Sequence, residues 1–162
     1  MDIKYLRKRH KELDIYTPLI AGCGVIQHPD DDNTILMIER GVPPYGIAFP
    51  GGMMEIGETI TECALREVKE ETDLDCDPKG ILAIHSDPEN DPRWHVVIHY
   101  ILMKAKTDKA TALDDAKAVF WVNLDEIFES QNMMDRILES SHDTIDQYIS
   151  YLNGNGGLLH MY

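Results

Sequence analysis

The chain has 162 residues, which is long enough for one domain with a sizeable hydrophobic core. Hydrophobic residues make up 43% and charged residues 27% of it, the usual balance of a water-soluble globular protein. The formal net charge of -14 argues against a nucleic-acid partner, because such a surface repels phosphate backbones. A small anionic ligand would instead need local positive charge, supplied by metal ions or by well-placed arginines.

The three cysteines indicate a reducing compartment. Their odd number and the lack of paired Cys/His spacings argue against a disulfide framework and against a zinc site. The longest early apolar stretch, residues 19–26, is interrupted by two glycines and is too short to cross a membrane. We therefore expect a cytoplasmic protein without a membrane partner.

The chain begins with a predicted N-terminal extension, residues 1–16, that carries its only basic run at 4–11. This run is either a contact for RNA or phosphate or a solvated terminal turn. Apolar runs at 18–27 and 34–39 predict two strands, and the polar residues between them predict a hairpin loop. Further strands are predicted at 80–85, 96–103 and 118–122.

Two stretches show helical periodicity. The first is 59–72, where Thr59 followed by Glu62 fits a capping box. The second contains apolar residues at i, i+3, i+4 and i+7 from Ile145 and is expected to stop at Asn153. The remaining residues, 153–162, form a glycine-rich tail. Because strands and helices interleave without regular alternation, we predict a single α/β domain with a mixed sheet flanked by helices.

The segment from residue 46 to residue 74 carries the groups suited to chemistry. Gly51 and Gly52 follow a proline and allow the backbone to approach a ligand closely. Glu67 and Glu71 are four residues apart on one helix face, and Glu70 lies beside them. These acids sit beside the apolar stripe of the helix, so we expect them at the rim of the core, partly shielded from water. Such crowded carboxylates either have raised pKa values or surround a cation, and oxygen ligands favour Mg²⁺ or Mn²⁺ over zinc. A solvated acidic helix face is the alternative.

The spacing of this segment resembles the Nudix box of the Nudix hydrolases. Gly52, Glu58 and the run 66–74 fill every charged position of the box. Asp73 stands where the family usually has glycine, and an aspartate tolerates the left-handed conformation that ends such a helix. The resemblance implies an α/β/α sandwich around a mixed sheet.

The same resemblance implies roles for the box residues. Glu67 and Glu71 would ligate Mg²⁺, with Mn²⁺ as a possible substitute, helped by the backbone carbonyl of Gly51. Glu70 would be a further ligand or would orient the attacking water. The metal would bridge diphosphate oxygens, offset their charge and help to ionise that water.

Three other residues are implied to support the reaction. Arg66 would hold a box glutamate by a salt bridge, and Glu58 would support the junction between loop and helix. Downstream, the order of residues 114–127 resembles the end of many Nudix domains, where an acid completes the metal site or acts as a base. Asp114 or Asp115 is the candidate, and we take Asp115 as the catalytic one.

Residues 86–95 resemble a loop of the ADP-ribose pyrophosphatase branch of the family. Arg93 would bind a phosphate, and Trp94 would either stack on a base or cover the sheet edge. Residues 42–46 also resemble that branch, and Tyr45 would line the nucleoside pocket or pack under the turn. The expected substrate-binding residues are therefore Tyr45, Asp87, Arg93, Trp94 and His95.

The leading hypothesis is an Mg²⁺-dependent hydrolase of ADP-ribose or a related nucleoside diphosphate sugar, and the resembled branch implies a homodimer. A nucleoside triphosphate pyrophosphatase that removes modified nucleotides is the second. Removal of RNA 5′ diphosphates fits poorly with the charge. A non-catalytic nucleotide-sugar sensor is disfavoured because the box acids are present. No phosphate-binding P-loop motif occurs in the sequence.

Overall fold

The computed structural model describes residues 8–9, 11–13 and 17–160. Residues 17–160 form a mixed seven-stranded sheet and four helices. The strands are β1 (Leu19–Gln27), β2 (Thr34–Arg40), β3 (Ile47–Ala48), β4 (Gly51–Met53), β5 (Cys76–His85), β6 (Val96–Ala105) and β7 (Ala116–Asn123). The helices are α1 (Ile60–Thr72), α2 (Leu124–Glu129), α3 (Gln131–Met134) and α4 (Glu139–Leu152).

Strand β1 lies in the middle of the sheet and pairs with β2, β4 and β6. The main path runs β3-β2-β1-β6-β5, with β7 paired to β2 and β4 paired to β1. β1 runs parallel to β6 and antiparallel to β2 and β4, so the sheet is mixed as predicted. The pairing of β4 with β1 brings the glycines that begin β4 against the middle of β1.

The two faces of the sheet carry separate hydrophobic cores. One core contains Ile145 and Tyr148 of α4, and the other contains Ala64 and Val68 of α1. Alternate residues of the central strands supply both cores because their side chains point to opposite faces. This arrangement is an α/β/α sandwich and confirms the predicted fold class.

Helix α1 begins and ends as its sequence predicts. Thr59 is the N-cap and forms a reciprocal capping box with Glu62, with the Glu62 amide donating to the Thr59 hydroxyl over 3.2 Å. Asp73 ends the helix with φ of 57°, the left-handed conformation expected at this position. The box glutamates are more deeply placed than the predicted rim position, since Glu67 is 9% and Glu71 3% exposed.

The strands predicted from apolar runs are all present, and several extend further than predicted. β5 begins at Cys76 instead of residue 80, and β6 continues to Ala105. Strands β3 and β4, of two and three residues, and the short helices α2 and α3 were not predicted. Helix α4 begins at Glu139, so His142 lies inside its first turn. The His142 ring contacts the carbonyl oxygens of Met134 and Ile137 through Nε2.

The glycine-rich tail docks on the sheet. Leu159 and Ile81 exchange two backbone hydrogen bonds of 2.9 and 3.0 Å, and this adds a short bridge to the outer edge of β5. Leu158 packs over Gly80, where an added Cβ would lie 2.8 Å from the Cβ of Leu158. The described part of the tail therefore covers part of a strand edge.

The N-terminal extension is described only in part. Within the basic run, Lys8 and Arg9 each pair with Glu12, at 3.8 and 3.5 Å, and the rest of the run lies largely outside the described residues. The contact of this basic run with RNA or phosphate stays a prediction. Within the residues that the structure describes, no helix has the length and apolar character needed to cross a membrane.

Candidate active site

The two glycines of β4 are packed too tightly to carry side chains. A Cβ on Gly51 would lie 2.5 Å from Sγ of Cys23 and 2.6 Å from the Gly22 carbonyl oxygen. A Cβ on Gly52 would lie 2.4 Å from the carboxyl carbon of Glu67. Glycine is therefore required here because the turn presses against both β1 and the box carboxylates.

Glu67 and Glu71 form a buried carboxylate pair behind this turn. The Gly51 amide donates to Oε2 of Glu71 over 2.9 Å. The pKa of Glu71 is raised to about 7, chiefly by burial; the Gly51 hydrogen bond opposes this rise and the nearby charge of Glu67 adds to it. Burial also raises the pKa of Glu67, opposed by its hydrogen bond with Arg66. The pair thus holds negative charge that the protein compensates only in part.

Arg66 connects the box acids to the glycine turn. Its guanidinium donates to Glu58 over 2.5 Å, to Glu67 over 2.6 Å and to Glu70 over 3.1 Å. It also donates to the Met53 carbonyl over 3.1 Å. The Arg66 hydrogen bonds, followed by one from the Glu55 amide, lower the pKa of Glu58 to about 2. Arg66 thus forms ion pairs with Glu58, Glu67 and Glu70, of which the Glu70 side chain remains 49% exposed, and the supporting roles of Arg66 and Glu58 stay predictions.

These residues fit a hard divalent cation by their chemistry. In the arrangement of the described residues, no three His, Cys, Asp or Glu side chains converge as a ready-made metal site. Two buried carboxylates whose pKa values are raised by burial and by neighbouring carboxylates are nevertheless the environment that a cation relieves. Carboxylate oxygens suit Mg²⁺ or Mn²⁺. Ligation by Glu67, Glu70, Glu71 and the Gly51 carbonyl remains a prediction.

The loop before β7 docks against the end of α1. The Leu113 amide donates to the Glu71 carbonyl over 3.0 Å, and the Gly41 amide donates to the Asp115 carbonyl over 2.8 Å. The charge of Asp115 contributes to the raised pKa of Glu71, after burial and Glu67. Asp114 has a left-handed φ of 45°. The structure therefore brings Asp115 into the electrostatic surroundings of the box, although its side chain is exposed.

A cavity of about 90 Å³ opens beside the glycine turn. Its lining joins the turn to the strand ends and to the start of α4. Arg40, at the end of β2, is one of its walls and was not predicted as a site residue. A β-bulge between Glu39 and Arg40 interrupts side-chain alternation there. The sequence did contain an indication of this role, since Arg40 is a positively charged residue directly after a predicted strand in a chain of net negative charge.

Arg40 and Arg93 both line this cavity but differ in their partners. Arg40 donates from Nε to the neutral Pro44 carbonyl over 2.8 Å, and its charge favours the ionised forms of Glu71 and Asp91. Arg93 instead pairs with Asp91 through Nε and Nη2, at 2.9 and 2.7 Å. Because Asp91 already offsets the charge of Arg93, Arg40 is the better placed of the two for a phosphate.

The other expected substrate residues are dispersed. Tyr45 is 69% exposed and lies outside the cavity, although its neighbour Pro44 lines it. Trp94 packs against the hydrophobic core, in agreement with the alternative in which it covers the sheet. His95 contacts the Ser86 carbonyl through Nε2 at 2.9 Å, and Asp87 lines a separate open cleft.

Comparison with known proteins agrees with this geometry. The family model described as NUDIX domain matches residues 18–142. The ADP-ribose pyrophosphatase of Methanocaldococcus jannaschii is 34% identical over 155 residues, which cover 93% of this chain and 86% of that protein.

Two solved structures are similar in fold. A bifunctional NMN adenylyltransferase/ADP ribose pyrophosphatase from Francisella tularensis, complexed with AMP and a manganese ion, has a TM-score of 0.74 at 24% identity. The match covers 95% of this chain but only 46% of that one. The NUDIX domain of Shewanella oneidensis NrtR, complexed with ADP ribose, has a TM-score of 0.71 at 16% identity, covering 94% and 99% of the two chains. With the box geometry and the family match together, the chain belongs to the NUDIX family and is a Nudix hydrolase.

Proposed function

We propose that this hydrolase cleaves the diphosphate bond of ADP-ribose or a related nucleoside diphosphate sugar, with Mg²⁺ or Mn²⁺ as cofactor. The observation that carries the proposal is the buried pair of Glu67 and Glu71 behind a glycine turn that borders a cavity with an arginine wall. The 34% identity to an ADP-ribose pyrophosphatase over most of both chains supports the substrate class.

Each group of the site has a task in this reaction. Glu67 and Glu71 would hold the metal, which supplies charge neutralisation at the diphosphate and a more acidic water. Arg66 keeps Glu67 in place through its 2.6 Å hydrogen bond, and its bonds to Glu58 tie the helix to the loop before it. Arg40 lies where it can bind a phosphate oxygen that enters the cavity.

Proton transfer needs a carboxylate that water can reach. The Glu70 side chain is 49% exposed, unlike its buried neighbours, so it has room to accept a hydrogen bond from the attacking water. Asp115 is the second candidate because it is exposed and acts electrostatically on Glu71. Substitution of each to the amide would identify the base by the larger fall in kcat.

A second candidate function is the hydrolysis of nucleoside triphosphates. Trp94 is partly buried and packs against the core, which removes one reason to prefer ADP-ribose over a nucleoside triphosphate. Release of phosphate through a coupled phosphatase, measured on a panel of nucleotide sugars and nucleoside triphosphates with Mg²⁺, separates the two. We expect kcat/KM to be highest for a nucleotide sugar, and a clear preference for a triphosphate would refute the proposal.

We further propose that the protein acts in the cytoplasm as a homodimer. The three cysteines are free, which supports a reducing compartment. The dimer is inferred from the resembled branch, and light scattering on the purified chain tests it directly. A mass of one chain, 18.4 kDa, at micromolar concentration would contradict it.

A further inference from the structure

A second cleft, open to solvent and of about 450 Å³, lies beside the site. It lies between the loop that follows β5 and one face of α4. Every side chain that lines it is polar, and none of them is a lysine or an arginine. The lining residues are His85, Ser86, Asp87, Asn90, Asp143, Asp146 and Gln147.

The cleft and the cavity are neighbours. Asn90 belongs to the lining of both. The ring of His85, in the cleft, packs against the ring of Tyr100, in the cavity, with centroids 5.0 Å apart. A thin layer of side chains therefore separates a ligand in the cavity from the cleft.

Helix α4 also runs along both spaces. Ser140 and Ser141 line the cavity, and Asp143 and Asp146 line the cleft in the following turn. One turn of helix advances by about 5.4 Å, which is comparable to the step from a diphosphate to an attached sugar ring. A substrate whose diphosphate lies in the cavity can thus extend its end group into the cleft.

The chemistry of the cleft suits hydroxyl groups and not further phosphates. Asp143 and Asp146 are three residues apart, so their carboxylates share one helix face. Among the described residues, none donates a hydrogen bond to either carboxylate. Burial lowers the pKa of His85, so its ring adds no positive charge near neutral pH. Carboxylates accept hydrogen bonds from ribose hydroxyls, as they do in dinucleotide-binding proteins, whereas three aspartates repel a phosphate.

We propose that this cleft binds the uncharged, hydroxyl-rich sugar at the distal end of a nucleoside diphosphate sugar. The assignment rests on the proposed function and gives it a structural basis for choosing a nucleotide sugar over a triphosphate. The distal sugar is preferred to the nucleoside because every lining side chain is polar and the carboxylates among them match hydroxyl groups better than the flat face of a base.

The test compares wild type with Asp143→Asn, Asp146→Asn and the double variant, and uses Glu126→Gln as control. Glu126 is an exposed acid of α2 that lines neither space, so it reproduces the charge change alone. For ADP-ribose hydrolysis we expect KM to rise about tenfold in each single variant, from the loss of a charged hydrogen bond, with kcat little changed. Inhibition by ribose 5-phosphate should weaken similarly, and inhibition by AMP should not.

Removing negative charge would by itself strengthen the binding of an anion, so weaker binding of ribose 5-phosphate identifies a hydroxyl contact. Unchanged KM and unchanged ribose 5-phosphate inhibition in the double variant would overturn the inference, as would an equal loss for AMP. If wild type releases no AMP from ADP-ribose, the proposed function itself fails. If it does so and the variants behave as wild type, only the cleft assignment fails.

Discussion

Substitution of Gly52 by alanine tests whether the glycine turn positions the box carboxylates. The added Cβ would lie 2.4 Å from the carboxyl carbon of Glu67 and 2.4 and 2.5 Å from its two oxygens. Non-bonded atoms of this kind normally lie about 3.5–4.0 Å apart, so the carboxylate must retreat by about 1 Å. A misplacement of that size costs roughly 100-fold in rate.

The fold should survive this change because the obstacle is the end of a side chain. The main loss is the 2.6 Å hydrogen bond from Arg66 to Glu67, worth about 1.5–3 kcal/mol. For a chain of this size that corresponds to a fall in Tm of about 3–12 °C. Circular dichroism at the assay temperature would show that the variant remains folded.

The matched control is Gly157→Ala, since a Cβ at Gly157 meets no atom within 4 Å. Both variants are assayed by phosphatase-coupled phosphate release from ADP-ribose with Mg²⁺. We expect kcat of Gly52→Ala to fall about 100-fold and that of the control to match wild type. A folded Gly52→Ala with wild-type kcat would refute the idea that close packing of this turn on Glu67 sets the reaction geometry.

Other predictions concern single side chains. Glu71→Gln should lower kcat by orders of magnitude and leave the fold intact, whereas Glu62→Gln, in the capping box, should leave kcat unchanged; equal effects would show that the helix face is misassigned. Arg40→Ala should raise KM for ADP-ribose about tenfold, from the loss of a charged hydrogen bond, and more than Arg93→Ala does. A larger rise in KM for Arg93→Ala than for Arg40→Ala would indicate that Arg93 binds the phosphate. The low pKa of Glu58 stabilises the folded chain above pH 4.5, and this contribution is lost as pH falls through about 2. In an acid titration, the Glu58→Gln variant should therefore lose less stability between pH 4.5 and 2 than wild type does. An acid transition identical to that of wild type would contradict this role of Glu58.

The sequence predicted the parts of this site that depend on local spacing. The capping box and the i, i+4 relation of the glutamates are properties of one helix, so α1 and its acids followed from the residues alone. The left-handed Asp73 followed in the same way. The depth of Glu71 was underestimated because it depends on how closely β4 and the loop before β7 pack against the helix.

The substrate side of the site could not be predicted in the same way. Asp91 captures Arg93 through a local loop conformation that spacing does not specify. Arg40 enters the cavity from a strand end with a β-bulge, and bulges leave no clear periodic signal. Strands of two and three residues, such as β3 and β4, are likewise too short for an alternating pattern.

If the box carboxylates support metal-dependent cleavage of a nucleoside diphosphate sugar, product formation from ADP-ribose should depend on a divalent metal. Chromatography of the products of ADP-ribose incubated with the purified chain, with Mg²⁺ and with excess EDTA, measures this dependence. We predict equal amounts of AMP and ribose 5-phosphate with Mg²⁺ and neither product with EDTA. No AMP in the presence of Mg²⁺ or Mn²⁺, or the same yield of AMP in EDTA, would contradict the claim.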